Sequence, residues 1–219
     1  MSRITRYSSI IPPDHFATPL FIAGIGAIGR AVATLAAQSG YTNLVIVDFD
    51  TVGEENYGPQ GYRPDQLGAA KIDALAADLA LINPDCRVVK FNDRITPTNC
   101  PDFPPSAIFI SCMDSMSARS AFFDWWANSS SPLFIDTRMA AEVFQSYIMD
   151  RDTDFEHYRK TIFPDSAGHD APCTARATAY CAALAGSYVL CLLSQHSRKI
   201  DLPFFLEHRM SDHTLTTEF

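Results

Sequence analysis

Basic residues are scarce in this sequence. Its 219 residues include 17 lysines and arginines against 25 aspartates and glutamates, a formal net charge of −8 at pH 7. Such a chain has no general electrostatic attraction to nucleic acid or to an anionic membrane. We therefore expect neither as a partner, and an anionic ligand would have to be held by local features.

The sequence also lacks the spacings typical of metal sites and the apolar segments typical of membranes. Its six cysteines form no CxxC pair and its six histidines no HxxxH motif, so we expect no zinc site. The N-terminal residues do not resemble a secretion signal, and the longest apolar run, about 177–193, is interrupted by polar side chains. We interpret that run as a core helix and expect a cytoplasmic protein with reduced thiols.

What the sequence does contain is a regular alternation of short apolar runs and helical patterns. Residues 19–40 read as a buried strand, a glycine turn and an alanine-rich helix, and residues 43–50 as a second buried strand. The alternation predicts an α/β fold of the Rossmann-like, doubly wound type, with a mainly parallel sheet and a mixed C-terminal part. We assign residues 1–18 to an N-terminal arm, 19–198 to one nucleotide-binding domain and 199–219 to a C-terminal tail.

Later elements follow from periodicity and from capping residues. A helix is predicted from Asp65 to about Ile82, and another within 115–129, with Asp114 placed to cap it. Residues 142–149 read as a strand, and 150–172 as a long polar loop. The final helix is predicted over about 174–193.

A glycine-rich loop is the first motif with chemical meaning. Gly24, Gly26 and Gly29 lie between a strand and a helix, where backbone N–H groups and a helix N-terminus hold phosphate. Asp48 ends the next strand, where a carboxylate can bind ribose hydroxyls. Asp50 is interpreted as a turn residue or a neighbour of the ligand-binding groups. These residues leave NAD, FAD and ATP open.

The order of the motifs that follow narrows this choice. Asn56, Gly68 to Lys71 at a helix start, Asn83-Pro84 at its end, and Asp114 after a later strand follow the glycine loop in sequence. From about Pro19 to Leu193 the chain resembles the ThiF/MoeB/E1 family of ubiquitin-like-protein activating enzymes. The resemblance implies ATP and Mg²⁺ as cofactors, a homodimer, and adenylation of a carboxyl group, usually the C-terminal glycine of a ubiquitin-like or sulfur-carrier protein.

The resemblance also assigns site residues. Nucleotide-binding positions would be Gly24, Gly26, Gly29, Asp48, Asp50, Asn56, Gln60 and Lys71, and catalytic positions would be Lys71, Asp114, Cys173 and Arg63, with Asp114 as the metal ligand. Elementary chemistry agrees, since a lysine in a first helical turn can meet phosphates and a carboxylate at the end of a parallel strand suits Mg²⁺. The alternatives are a solvated helix position for Lys71, a helix cap for Asp114 and a turn residue for Asn56.

The chain departs from the family pattern after Asn56. The family has Asn-Leu-x-Arg-Gln, with its arginine on the ATP phosphates, whereas this chain has Asn56-Tyr57-Gly58-Pro59-Gln60. Arg63 is close enough in sequence to replace that arginine. An NAD-dependent oxidoreductase is the alternative enzyme, although no proton donor is evident. A scaffold that has lost turnover is the other alternative.

Cys173 is the candidate carrier of a covalent intermediate. It follows the polar loop and precedes the last helix, where a helix N-terminus and Arg176 would lower a thiol pKa. An ordinary small residue at a helix start is the alternative. Cys181 and Cys191 fall inside that helix and are expected in the core.

Overall fold

The computed structural model describes residues 10–167 and 177–219. They form an eight-stranded sheet with helices on both faces, and the strand order is β3-β2-β1-β4-β5-β6-β7-β8. The strands are β1 (Leu20–Ala23), β2 (Asn43–Val47), β3 (Arg87–Phe91), β4 (Ile108–Ser111), β5 (Phe134–Ala140), β6 (Val143–Met149), β7 (Phe205–Arg209) and β8 (Thr214–Glu218). The helices are α1 (Ala27–Ser39), α2 (Tyr57–Gln60), α3 (Lys71–Ile82), α4 (Met116–Ala127), α5 (Phe155–Arg159) and α6 (Ala179–Ser197).

The first five strands are parallel and confirm the predicted Rossmann-like, doubly wound class. β1 pairs with both β2 and β4, and Ile22 is level with Ile46 on one side and Ile110 on the other. The strand order therefore reverses between β1 and β4. The carboxyl ends of these three strands meet at one edge, which is where open α/β sheets bind ligands.

The last three strands are antiparallel, which confirms the predicted mixed C-terminal part. The sequence assigns residues 199–219 to a tail, but residues 205–218 form β7 and β8 and continue the sheet. Leu206 of β7 is buried, whereas all of β8 is exposed. This sparse apolar content explains why the two strands have a weak sequence signal.

The two faces of the sheet have different cores. Aliphatic side chains fill one face, between the sheet and helices α1, α3 and α6. Aromatic side chains fill the other, including Phe21, Phe109, Phe122, Phe123 and Trp126 beside α4. Both faces of β1 and β4 are covered, as their continuous apolar sequences predict, whereas the edge strand β3 is largely exposed.

Several helix boundaries differ from the predictions. Within the stretch predicted as helical from Asp65, the helix begins at Lys71, in agreement with the prediction of Lys71 in its first turn, and Gly68 before it takes a positive φ of 78°. The last helix begins at Ala179, because Thr178 caps it by accepting from Cys181 N. Cys181 is buried, but Cys191 is exposed, so its predicted place in the core is wrong.

The predicted loop over 150–172 contains a short helix. Asp154 caps α5 by accepting a hydrogen bond from Glu156 N, and a 3-10 turn covers Asp165–Ala167. No helix in the described residues is both long enough and apolar enough to cross a membrane.

Candidate functional site

The three glycines of the loop have different roles. A Cβ on Gly24, whose φ is +87°, would lie 2.8 Å from the carbonyl oxygen of Cys112, and a Cβ on Gly29 would lie 1.8 Å from that of Gly24. These two glycines allow close backbone packing. A Cβ on Gly26 would meet no atom of the described residues within 4 Å. Gly26 precedes α1 without a side-chain cap, so its surface and the first N–H groups of α1 face open space that a phosphate can enter.

Asp48 joins the glycine loop to the end of β2. One carboxylate oxygen accepts the N–H of Ile25 at 2.7 Å, and the other accepts the N–H of Asp50 at 2.9 Å. Burial raises the pKa of Asp48, while these two N–H groups act in the opposite direction. The carboxylate is thus held rigidly at the edge of the loop, where the sequence predicts ribose binding.

Lys71 is buried at the start of α3. Its Nζ lies 2.9 Å from the carboxylate of Asp50, and the side chains are 7% and 50% exposed respectively. Its backbone N–H donates to the carbonyl of Asp50 at 2.9 Å. The alternative interpretation of Lys71 as a solvated helix position is wrong. A lysine held in one place, paired with a half-exposed carboxylate, can exchange that partner for an anionic ligand.

The segment from Asn56 to Arg63 is also ordered by its own side chains. Asn56 is buried and accepts the N–H of Gly53 at 2.8 Å, so it has the turn role that the sequence left open. Gln60 has a buried Oε1 without a hydrogen-bond partner among the described residues. That atom is available to a ligand donor.

Arg63 is engaged by carboxylates. Its guanidinium bonds to Asp65 and to Asp78, which also accepts from Arg30 at 2.8 Å. The hydrogen bonds to Asp65 and Asp78 raise the pKa of Arg63. Asp78 lies about two helical turns beyond Lys71. In this conformation the Arg63 guanidinium binds Asp78 of α3 and so stabilises the contact between α3 and the segment that precedes it.

Asp114 follows β4 and is exposed. The N-cap of α4 is Ser115, whose hydroxyl accepts Ala118 N at 3.2 Å, so the predicted cap role of Asp114 is wrong. The first N–H of α4, that of Met116, donates instead to Asp165 at 2.6 Å. Within residues 10–167 and 177–219 the Asp114 carboxylate has no hydrogen-bond or ion-pair partner, which leaves it available to a cation.

Two cysteines, Cys173 and Cys112, are considered as nucleophiles. Cys173 and Arg176 lie outside the described residues, so their reactivity remains a prediction. Cys112 lies beside the glycine loop, but burial raises the pKa of its thiol to about 12. A thiol with that pKa is a poor nucleophile at neutral pH.

One aromatic residue at this edge was not predicted to belong to the site. Phe49 stands between Asp48 and Asp50, is 47% exposed, and has the Arg94 guanidinium 4.1 Å from its ring centroid. An exposed aromatic ring of this kind can stack on a base. The signal in the sequence was the aromatic residue between the two aspartates.

These groups meet at the carboxyl edge of β1, β2 and β4 and define a Rossmann-like nucleotide-binding protein. The chain belongs to the ThiF family, whose sequence profile matches residues 16–217. The sequence is 30% identical over 113 residues to ubiquitin-like modifier-activating enzyme 5 of Drosophila virilis, covering 46% of this chain and 28% of that protein. It is 34% identical over 117 residues to the enzyme of the same name from Arabidopsis thaliana, covering 46% and 27% respectively. The chain thus matches less than a third of the length of these relatives.

Solved structures extend the similarity to the whole fold. Escherichia coli MccB with ATP superposes with a TM-score of 0.78 at 16% identity, over all of this chain and 71% of that one. The structure of PaaA gives 0.72 at 18% identity, over 97% of this chain and 75% of that one. At these identities the likeness establishes the fold.

Proposed function

We propose that this protein binds ATP and adenylates a carboxyl group, namely that of the C-terminal glycine of a ubiquitin-like or sulfur-carrier protein. The observation that carries the proposal is the buried Lys71 at the first residue of α3, with its Nζ 2.9 Å from the half-exposed carboxylate of Asp50. A dinucleotide oxidoreductase has no need of a buried ammonium group there. An enzyme that releases pyrophosphate from ATP does need one. Negative charge develops on the pyrophosphate as it leaves, and an ammonium group nearby stabilises that charge.

The nucleotide would occupy the edge already described. The triphosphate would lie over Gly26 and the N-terminus of α1, where a Cβ would meet open space. The ribose would bind Asp48, and the base would stack on Phe49, which is half exposed. Gln60 would supply its unpartnered Oε1 to a ligand donor. Asn56 would act through the turn that it closes.

The reaction is a displacement at phosphorus. A carboxylate oxygen of the partner attacks the α-phosphorus, the bond to the bridging oxygen of pyrophosphate breaks, and pyrophosphate takes both electrons of that bond. The products are an acyl-adenylate and pyrophosphate. Lys71 would transfer its hydrogen bond from Asp50 to the phosphate oxygens and neutralise the charge that develops there. Alignment and charge stabilisation supply the rate, so no protein base is needed.

Asp114 fits a magnesium ligand. Its carboxylate is exposed at the carboxyl end of β4 and is not used as a helix cap. Mg²⁺ in nucleotide enzymes binds one or two carboxylates and takes its other ligands from phosphate oxygens and water. When bound, Mg²⁺ would supply further neutralisation of the phosphates. Asp114 would hold the ion through its carboxylate.

The scaffold alternative rests on Arg63. Pro59 stands where the family has an arginine, and Arg63 bonds to Asp65 and Asp78. If Arg63 stays on these carboxylates when ATP binds, the site lacks the arginine on its phosphates. We propose that Arg63, whose side chain is half exposed, turns to the phosphates on binding. ATP binding without turnover would identify the scaffold.

Two groups of similar proteins guide the choice of partner. The relatives are named as ubiquitin-like modifier-activating enzymes, and the MccB structures include complexes with MccA. We propose a small protein or peptide with a free carboxyl terminus as the substrate, and a homodimer as the active form. Isotope exchange between pyrophosphate and ATP, with and without candidate carboxyl-terminal peptides, tests adenylation directly.

The sharpest variant test compares two lysines. Lys71→Met should lower the exchange rate by on the order of 10²–10³-fold, because it removes the charge beside the leaving group. Lys90→Met is the matched control, since Lys90 also pairs with an aspartate, Asp73 of α3, at 2.6 Å, but is exposed. That control should exchange at nearly the wild-type rate. An active Lys71→Met protein would contradict the proposed role.

A further inference from the structure

A second charged cluster lies beneath the candidate site and is buried. Arg119 of α4 donates to the carboxylate of Asp136 on β5, and the two side chains are 6% and 0% exposed. Asp136 also accepts from Arg138 Nε at 2.9 Å and from the Tyr158 hydroxyl at 3.1 Å. Buried ions are costly unless they are fully paired. Asp136 is fully paired, and it fixes the plane of the Arg119 guanidinium.

The two terminal nitrogens of Arg119 also donate to backbone carbonyls, whereas its buried Nε has no hydrogen-bond partner among the described residues. One nitrogen donates to the carbonyl of Thr137 at 2.9 Å, and the other to the carbonyl of Met113. Met113 immediately precedes Asp114, in a loop between β4 and α4. Arg119 therefore holds the backbone on the N-terminal side of the Asp114 carboxylate.

The same loop contacts the glycine turn. A Cβ on Gly24 would lie 2.8 Å from Cys112 O and 3.0 Å from Met113 N, so the loop and the turn are packed backbone to backbone. Any shift of Met113 would change the distance between Asp114 and the glycine loop. That distance separates the proposed metal ligand from the proposed phosphate site.

We infer that Arg119, oriented by Asp136, is a positioning residue that sets the place of the Asp114 carboxylate relative to the glycine loop. The inference rests on the proposed function, because it concerns the use of Asp114 in adenylation. Arg119 does not itself touch the reacting atoms. Its effect passes through the carbonyl of Met113.

The chain contains a matched control at the other end of the same helix. Arg151 donates to the carbonyls of Ser131 at 2.7 Å and Trp126 at 3.0 Å, and its guanidinium lies 4.3 Å from the Trp126 ring centroid. Both arginines thus fix backbone carbonyls beside α4. Only Arg119 fixes the loop that carries Asp114.

The test compares Arg119→Lys with Arg151→Lys in the full chain. A lysine keeps the charge opposite Asp136, which protects folding, but its single ammonium cannot bond to three separated acceptors as the planar guanidinium does. Two measurements are made on each protein. The first is amide hydrogen exchange of the segment 112–117, and the second is pyrophosphate–ATP exchange as a function of Mg²⁺ and of ATP concentration.

Arg119→Lys should accelerate hydrogen exchange in 112–117 about tenfold or more, because the loop loses its anchor. It should also lower the maximal pyrophosphate exchange rate by on the order of 10²-fold and raise the half-saturating Mg²⁺ concentration, with little change in the KM for ATP. Arg151→Lys should change none of these quantities more than about twofold. A variant that merely weakens the fold would not move the Mg²⁺ dependence alone.

The outcomes separate the two proposals. Unchanged hydrogen exchange in Arg119→Lys would overturn the positioning role whatever the activity. Faster hydrogen exchange with an unchanged Mg²⁺ dependence would make Arg119 a structural residue only and would also overturn it. A wild-type protein that binds Mg-ATP but exchanges no pyrophosphate would remove the proposed function, and with it the reaction that Arg119 serves, even if the loop is held as inferred.

Discussion

The parallel and antiparallel parts of the sheet differ in burial and in chemistry. Every residue of β1 and β4 is buried, whereas every residue of β8 is exposed. The glycine loop, Asp48 and Asp114 all follow parallel strands, where strand ends converge and helix N-termini supply N–H groups to a ligand. The antiparallel part contributes pairing partners and support, such as Tyr147 beneath the Arg138 guanidinium. Substitutions in the parallel part should therefore affect folding or chemistry strongly, and those outside it less.

The largest expected effect comes from two glycines in the parallel part. Gly29→Ala places a Cβ 1.8 Å from the carbonyl oxygen of Gly24, so the loop or α1 must shift. We expect a loss of more than about 3 kcal/mol in the free energy of unfolding. Gly26→Ala meets nothing within 4 Å. It should keep near wild-type stability but lose the thermal protection given by Mg-ATP, because the methyl group would occupy the phosphate path.

Thermal unfolding with and without Mg-ATP measures both effects. Gly58→Ala is the control, since a Cβ there also meets nothing within 4 Å and Gly58 lies outside the glycine loop. A fully stable Gly29→Ala protein would contradict the packing role. Full ATP protection of Gly26→Ala would contradict the assigned phosphate position.

The second effect concerns Cys173, which lies outside the described residues. Cys173→Ala should exchange pyrophosphate into ATP at a rate within about threefold of wild type, because adenylation precedes any transfer to a thiol. It should form no thiol-sensitive adduct with the partner. Cys191→Ala, an exposed cysteine on α6, should still form the adduct. If wild type forms no such adduct, the protein delivers its acyl-adenylate directly to another acceptor.

The sequence also predicts the parallel part of the sheet better than the antiparallel part. The parallel strands and their helices have local sequence signals, namely apolar runs, a glycine turn and helix caps. Their succession along the chain was therefore predictable. Strand β7 depends on pairing with β6, a non-local contact that periodicity does not report, and β8 in turn pairs with β7.

The candidate site shows the same limit. The sequence predicts Lys71 at the start of a helix, but not its burial against Asp50, which is 21 residues away. Asp114 and Ser115 are both good N-cap types, so the sequence does not decide between them. The support of Asp114 by Arg119 was missed because its partners lie on different elements. Long-range ion pairs have no periodic signature that a single sequence can report.

The smallest expected effect concerns Asp165, which joins the segment leading out of the antiparallel β6 to the helix α4 of the parallel part. Its carboxylate accepts the N–H of Met116 at 2.6 Å, at the N-terminus of α4. Asp165 accepts hydrogen bonds from the Ser117 side chain and from the N–H groups of Met116 and Ser117. These bonds hold the pKa of Asp165 below its ordinary value. A lowered folded-state pKa means that the charged carboxylate stabilises the fold above the unfolded-state pKa of about 3.9, and that this contribution is lost as the pH falls through the lower folded-state value.

Asp165→Asn should consequently lower the midpoint of thermal unfolding by about 1–3 °C at pH 7, since a negative charge at a helix N-terminus has a modest effect at an exposed position. The difference from wild type should shrink below about pH 4, because the wild-type carboxylate then also becomes neutral. Asp152→Asn is the control, an exposed aspartate of the same segment. A difference that is constant between pH 3 and pH 7 would show that Asp165 acts through its shape rather than its charge. The two parts of the sheet would then be joined at this point by packing alone.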